Sequence, residues 1–344
     1  MRQILLRIPI PGTEHVLTLY GYGAMLCLGF LLAILVAARR ARRLGQPSDI
    51  IYNAALFSFF GGLLGSRVFY VIQYGEHFRS VWDLLKIWEG GLTFYGGFLM
   101  AVVATIGYLW IARLPILYWL DIIAPSVALG YAFGRLGCFL NGCCYGDTCP
   151  PNLGFAWPAG TIPWEHYANV ALAATGLGPA DTGGAAGGAV TGALATVWHA
   201  PVIFPAQLLS FVNAMLLFVV LAAMFRFKRR HGQVLLVFIL LYGVSRFLLE
   251  CLRADEADAY LLGLPTLLAA LGHESEAARL PLMTISQNLA ILMVAGSVAG
   301  LALLARSRRP QLQASYAPPP PPPAGAEAGV SDSKHPQRRK EKRS

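Results

Sequence analysis

The sequence predicts an all-α polytopic membrane protein with seven transmembrane helices. Its N-terminus is expected outside, its C-terminus in the cytoplasm, and a periplasmic head between helices 4 and 5. Three observations lead there. First, the 344 residues are 56% hydrophobic and 13% charged, with a mean hydropathy of +0.54, whereas a soluble chain carries roughly 25% charged residues. Second, seven segments reach the ~20 apolar residues that a membrane-spanning helix needs. Third, Lys and Arg crowd the connections on one side only.

The spans are expected at Val16–Ala38, Ile50–Tyr74, Gly91–Ala112, Leu117–Asn141, Pro205–Phe225, Val234–Cys251 and Leu282–Ala305. Before them, Met1–Pro11 is broken by Arg7, Pro9 and Pro11 and lacks the apolar core of a cleavable signal peptide. Arg39, Arg40, Arg42 and Arg43 follow the first span, and Arg113 follows the third. Arg226, Lys228, Arg229 and Arg230 follow the fifth, and Arg306, Arg308 and Arg309 the seventh. The positive-inside rule makes that common side the cytoplasm. The net charge of +9 is therefore read as membrane orientation, and no nucleic-acid partner is expected.

The outer connections differ in kind. Glu76–Glu89, with Trp82 and Trp88, suits an interfacial amphipathic helix. Asp147–Phe204 is a long excursion with Trp157, Trp164 and Trp198. Within it, Ala171–Ala195 is rich in Gly and Ala, and with Pro179 and Asp181 it reads as a flexible loop. Residues 1–310 thus form one membrane domain that includes a head over 142–204 and an arm over 252–281. The tail, 311–344, contains Pro318–Pro323 and a basic end and reads as disordered.

This topology sorts the polar residues by depth. Tyr22, Tyr95, Gln207 and Gln287 begin odd-numbered spans; Arg67, Arg135, Asn141, Arg246 and Glu250 lie in the later halves of even-numbered ones. All fall in one layer, in the outer half of the membrane. Asp121 is the exception, near the cytoplasmic start of the fourth span, and reads as a cap or packing residue. Arginine inside a membrane is costly and marks function by default. Its planar fork of donors suits phosphate. Arg246, Glu250 and Arg253 share one helix face, so Glu250 can neutralise either arginine. Arg67, Arg135 and Arg246 together leave positive charge over, and the anion available in the outer leaflet is phospholipid phosphate.

The central run is Gly134-Arg135-Leu136-Gly137-Cys138-Phe139-Leu140-Asn141-Gly142-Cys143-Cys144-Tyr145-Gly146. With it stand, in order, Gly65-Ser66-Arg67, Trp88-Glu89-Gly90-Gly91-Leu92-Thr93-Phe94-Tyr95-Gly96-Gly97, Asp121-Ile122-Ile123-Ala124-Pro125, Pro205-Ala206-Gln207-Leu208 and Arg246-Phe247-Leu248-Leu249-Glu250. This ordered set resembles the prolipoprotein diacylglyceryl transferases of bacterial inner membranes over most of residues 16–310. The resemblance implies transfer of diacylglyceryl from phosphatidylglycerol to the lipobox cysteine of a prolipoprotein signal peptide. It places the chain in the inner membrane, among membrane lipids, with the active site facing the outer leaflet. It requires no metal or organic cofactor. It assigns Arg135, Arg246, Glu250 and Tyr95 to catalysis. Arg135, Arg67, Asn141, Tyr22, Gly142, Gln207 and Gln287 are assigned to phosphatidylglycerol.

The chain departs from the family pattern in places. Tyr95 stands where the family often has histidine, Cys138 and Cys143 where it has asparagine and glutamate, and Leu209-Ser210 where Tyr-Glu often follows Gln-Leu. A phenol titrating near ~10 is a poor base at neutral pH, so Tyr95 is expected to bind substrate instead. Cys138, Cys143, Cys144 and Cys149 lack a paired Cys-x-x-Cys, and read as packing thiols or one disulfide such as Cys144–Cys149 rather than a metal site. Two rival classes have their own signatures. A transporter would carry the polar layer through to the cytoplasmic side, where only Asp121 lies. A lipid-binding scaffold would use the same arginines without chemistry.

Overall fold

A computed structural model of the chain describes residues 4–9, 16–74, 91, 93–174, 202–252 and 284–306. Seven of the described helices are long and apolar enough to cross a membrane. In chain order the helices are α1 (Gly21–Arg43), α2 (Asp49–Gln73), α3 (Phe94–Ile111), α4 (Ile116–Asn141), the short α5 (Ile162–Ala174), α6 (Ala206–Met224), α7 (Gln233–Glu250) and α8 (Ile285–Arg306). Two small antiparallel pairs accompany them: β1 (Ile4–Pro9) with β2 (Val16–Tyr20), and β3 (Phe155–Ala156) with β4 (Val202–Ile203). The expected interfacial helix at Glu76–Glu89, residues 175–195 of the Gly/Ala-rich stretch, the arm from Arg253 and the tail lie outside the described residues.

The first span begins later than the sequence predicts. Val16–Tyr20 is a strand paired with Ile4–Pro9, because a run of apolar, β-branched and aromatic residues suits a pleated pair as well as a helix. The helix then continues to Arg43, so Arg40, Arg42 and Arg43 occupy its last turn, where cations oppose the negative end of the helix dipole. The third span likewise starts at Phe94 instead of Gly91. Gly91 holds φ at +73° and Thr93 is extended, so the helix begins only after them.

Helix α4 is the centre of the bundle. Half of its most apolar stretch is buried, more than in any other span, and it packs against α1 and α6 and touches α7. Its Trp119 and Ile122 are fully buried against Ala37, Ala38 and Ala41 of α1. The small alanines let the two backbones approach, which is how helices associate where lipid removes the hydrophobic drive. Helices α2 and α3 take this further. A Cβ built on Gly65 would lie 2.6 Å from the Gly96 carbonyl oxygen, and one on Gly96 would lie 2.6 Å from that of Gly65.

Asp121 is a cap, as its sequence position suggests, but for a different helix. It is fully buried and accepts hydrogen bonds from the backbone N–H of Gly232 at 2.9 Å and of Leu235 at 3.0 Å, the start of α7. Lys228 Nζ lies 3.2 Å from its Oδ2. Burial holds the Lys228 ammonium below its usual pKa, and Asp121 counters that. Asp121→Ala would leave a half-buried ammonium and two helix-end donors unmatched. We expect it to cost about 3–5 kcal/mol and to lower the detergent-solubilised unfolding temperature without altering lipid specificity.

Candidate functional site

The polar side chains converge at the opposite end of the bundle from Asp121. The turn after α4 builds the first part. Gly142 adopts φ +80° and its N–H returns to the carbonyl of Cys138 at 2.9 Å, with the Cys143 N–H reaching the same oxygen at 3.2 Å. That left-handed turn stops the helix and folds Cys143 and Cys144 back over its last turn. A Cβ at Gly142 would also touch Trp157 and Pro163, each at 3.4 Å. A small head covers the turn: Tyr145, Trp157 and Ile203 are buried together, with Phe139, Phe155 and Tyr167 around them. The backbone of Gly146 and Cys149 pairs with Phe204 and Val202, and so ties the head to the start of α6. Tyr167 donates its hydroxyl to Asp147 at 3.2 Å; burial, then the Asp147 charge, pushes that phenol up to about 12.

From this turn the site spreads sideways. Gln207, the second residue of α6, is fully buried and donates Nε2 to the Cys143 carbonyl at 2.9 Å. Tyr22 of α1 lies against Gly137, where a Cβ would meet its ring carbon Cδ2 at 3.2 Å. Arg135 donates Nε to the Tyr131 hydroxyl at 2.8 Å, with its guanidinium 5.0 Å from the centre of that ring. Among the described residues Arg135 has no carboxylate partner.

The second arginine is held differently. Arg246 Nη2 donates to Ser286 Oγ at 2.8 Å and forms an ion pair with Glu250 Oε2 at 3.0 Å. Glu250 is 4% exposed, and its Oε1 accepts from Thr284 Oγ1 at 3.2 Å. Gln287 Oε1 accepts from the Thr284 N–H at 3.1 Å, and its Nε2 lies 3.6 Å from Cys251 Sγ. The start of α8 thus braces the end of α7. Tyr131 and Tyr242 meet edge to face at 5.4 Å, and Tyr242 lies within electrostatic reach of both Arg135 and Arg246. The two arginines therefore flank a shared pair of phenol rings.

Two predicted site residues are anchored elsewhere. Arg67, 8% exposed, donates Nη1 to the Gly91 carbonyl at 3.1 Å and lies over Tyr70. Ser66 beside it accepts from both the N–H and the hydroxyl of Thr93, each at 3.1 Å. These bonds hold the entry to α3 against the end of α2. Tyr95 is 59% exposed and meets Phe94 edge-on at 5.9 Å. Asn141 ends α4 beside Cys143. Of the two readings of the cysteines, the disulfide is not found: all six are free thiols, Cys144 and Cys149 included. Cys149 is held by its N–H to Val202 instead. Sequence reasoning missed Tyr131, Tyr242, Thr284 and Ser286. A signal was present, since each arginine has a tyrosine four residues earlier, one turn away on the same face.

A multi-spanning membrane protein with two arginines flanking a pair of phenol rings at one end of its bundle presents a cationic site within a membrane domain. Residues 13–303 match the family described as prolipoprotein diacylglyceryl transferase. Proteins named phosphatidylglycerol–prolipoprotein diacylglyceryl transferase are similar to it. The one from Clostridium tetani is 30% identical over 239 residues, covering 70% of this chain and 82% of that protein. The one from Paraburkholderia phymatum is 32% identical over 261 residues, covering 71% and 80%. A Rhodopirellula baltica relative is 41% identical over 176 residues, and there the match spans 47% of this chain and 36% of the relative. The chain belongs to the prolipoprotein diacylglyceryl transferase family, a multi-pass membrane transferase of lipoprotein maturation.

Proposed function

We propose that the chain moves diacylglyceryl from phosphatidylglycerol to the thiol of a lipobox cysteine in a prolipoprotein signal peptide. The observation that carries this is Arg135, partly buried, bound to the Tyr131 hydroxyl and lacking a described carboxylate partner. A guanidinium so placed has charge to offer an anion. The relatives' names supply the two substrates.

The chemistry follows from the charges. The substrate thiol, with a usual pKa near ~8.5, gives its proton to water or a lipid phosphate oxygen and attacks the glycerol carbon that bears the phosphate. A C–S bond forms and the C–O bond to phosphate breaks. Glycerol phosphate leaves with the electron pair. Arg135 and Arg246 stabilise the negative charge that grows on the phosphate oxygens, where fixed donors in a dry site are most effective. Glu250 holds Arg246 in place. Gln207, Asn141, Gly142 and Tyr22 shape the headgroup pocket around the turn, and Gln287 braces Thr284 behind Glu250. Arg67 sets the neighbouring wall with Gly91 and Thr93. No step requires a metal or organic cofactor.

The side of the membrane belongs to the same reading. Lys228 and the arginines at 39–43, 226–230 and 306 face the cytoplasm by charge, so the site faces the outer leaflet of the inner membrane and residues 142–204 form a periplasmic head. Single cysteines on a cysteine-depleted background test this in intact cells. Position 159, exposed on the head, should react with an impermeant maleimide and position 229 should not; labelling at 229 would invert the topology.

Tyr95 is assigned to lipid contact. Tyr95→Phe should lower transfer no more than about tenfold, the worth of one hydrogen bond, and Tyr95→His should retain or raise it. A dead but folded Tyr95→Phe would make the phenol the base. The activity is tested by mixing purified protein, phosphatidylglycerol vesicles and a lipobox peptide. The reading requires one diacylglyceryl mass on the peptide cysteine. Vesicle binding without that mass would leave a lipid-binding scaffold.

A further inference from the structure

We propose that Cys138, Cys143 and Cys144 form a site for one thiophilic divalent cation of the zinc class, with water completing the coordination. It does not presuppose the transfer reaction, although the site adjoins Arg135, Gln207 and Gly142. In sequence the three lack the paired spacing of a metal motif. The fold supplies what the spacing does not: the Gly142 turn brings their sulfur atoms within 4.8 Å of one another.

The geometry suits a metal more than a disulfide. Zinc–sulfur bonds of about 2.3 Å in a tetrahedral site place sulfurs about 3.8 Å apart. The trio needs to close by at most about 1 Å to meet that. All three thiols are half-buried and unpaired, so an ion can reach them. Cys144 adopts φ +60°, one of only two positive values at non-glycine residues described. Such a conformation is costly for a side chain and clusters at functional turns. Here it turns Cys144 back toward Cys138.

Charge and hydrogen bonding agree. Each thiol releases its proton on binding, so three thiolates and a divalent ion carry a net charge of −1. Arg135 lies within electrostatic reach of Cys138 and Cys144, a favourable field for a complex of that charge. Gln207 donates to the carbonyl of Cys143, yet its own carbonyl oxygen is buried without a described donor. A metal-bound water beside this turn supplies one.

Cobalt(II) added to the reduced, metal-free, detergent-solubilised full chain tests this. The expected result is a sulfur-to-cobalt charge-transfer absorption saturating at one ion per chain and abolished by zinc. Cys138→Ser, Cys143→Ser and Cys144→Ser should each weaken binding beyond the ~10–100-fold that loss of a supporting group costs. Cys149→Ser and Cys251→Ser should leave it unchanged. A second measurement needs only the wild-type chain: zinc should protect Cys138, Cys143 and Cys144, and no others, from alkylation read by mass spectrometry. No absorption, any other protection pattern, or isolation of two of the three as a disulfide would overturn the site.

Discussion

Arg135→Lys should lower kcat by roughly 10²–10³-fold, although the positive charge is kept. The size follows from removing one fixed donor from a developing anion. Arg135 reaches Tyr131 through Nε at 2.8 Å, which orients the plane of the guanidinium and leaves its two-pronged end for phosphate. Lysine has a point charge on a flexible stem and cannot make that paired contact. Its longer-range attraction survives, so phosphatidylglycerol should still bind and KM should change far less than kcat. Steady-state kinetics with vesicles separates the two. Wild-type kcat in Arg135→Lys would reduce the arginine to a structural or merely electrostatic part. Arg246→Lys should behave in the same direction and also lose geometry at Ser286.

Glu250→Ala should be nearly as damaging, at about 100-fold or more, and through a different cause. Glu250 is buried, pairs with Arg246 at 3.0 Å and accepts from Thr284. Removing one partner of a buried ion pair costs about 3–5 kcal/mol because the other charge is left uncompensated. Glu250→Gln separates the possible roles. The amide keeps an acceptor for Thr284 and much of the shape, so a residue that positions Arg246 should lose only about tenfold, the scale of one hydrogen bond. A proton acceptor would lose everything in either variant. We expect the Gln variant to fall between wild type and Ala, with the pH profile of kcat unmoved.

Much of this was legible in the sequence. Seven spans could be counted, and their order alone brought Arg135, Asn141, Gln207, Arg246, Glu250 and Gln287 to one end, because helix length and hydropathy are local properties. The pairing of Ile4–Pro9 with Val16–Tyr20 was not, since strand and helix compete for a short apolar run and the decision lies in a partner strand. Asp121 read as a cap, but its target, the start of α7, is 111 residues away in sequence. Spacing arguments do not reach that far. The cysteines were weighed by sequence pattern, and a single left-handed glycine, Gly142, reverses the chain and brings three of their sulfurs together. Tyr95 stands where the family often has histidine, and the resemblance marks that position without fixing what a phenol does there.

The central claim is that the phosphate departs as a phosphomonoester while the arginines hold it. Phosphorus NMR of the purified chain with phosphatidylglycerol and a lipobox peptide follows this bond directly. The prediction is that the phosphodiester signal gives way to a glycerol phosphate signal, one for each thioether formed, and that Arg135→Lys slows both equally. Thioether formation without the phosphomonoester, or phosphate carried onto the peptide, would contradict it.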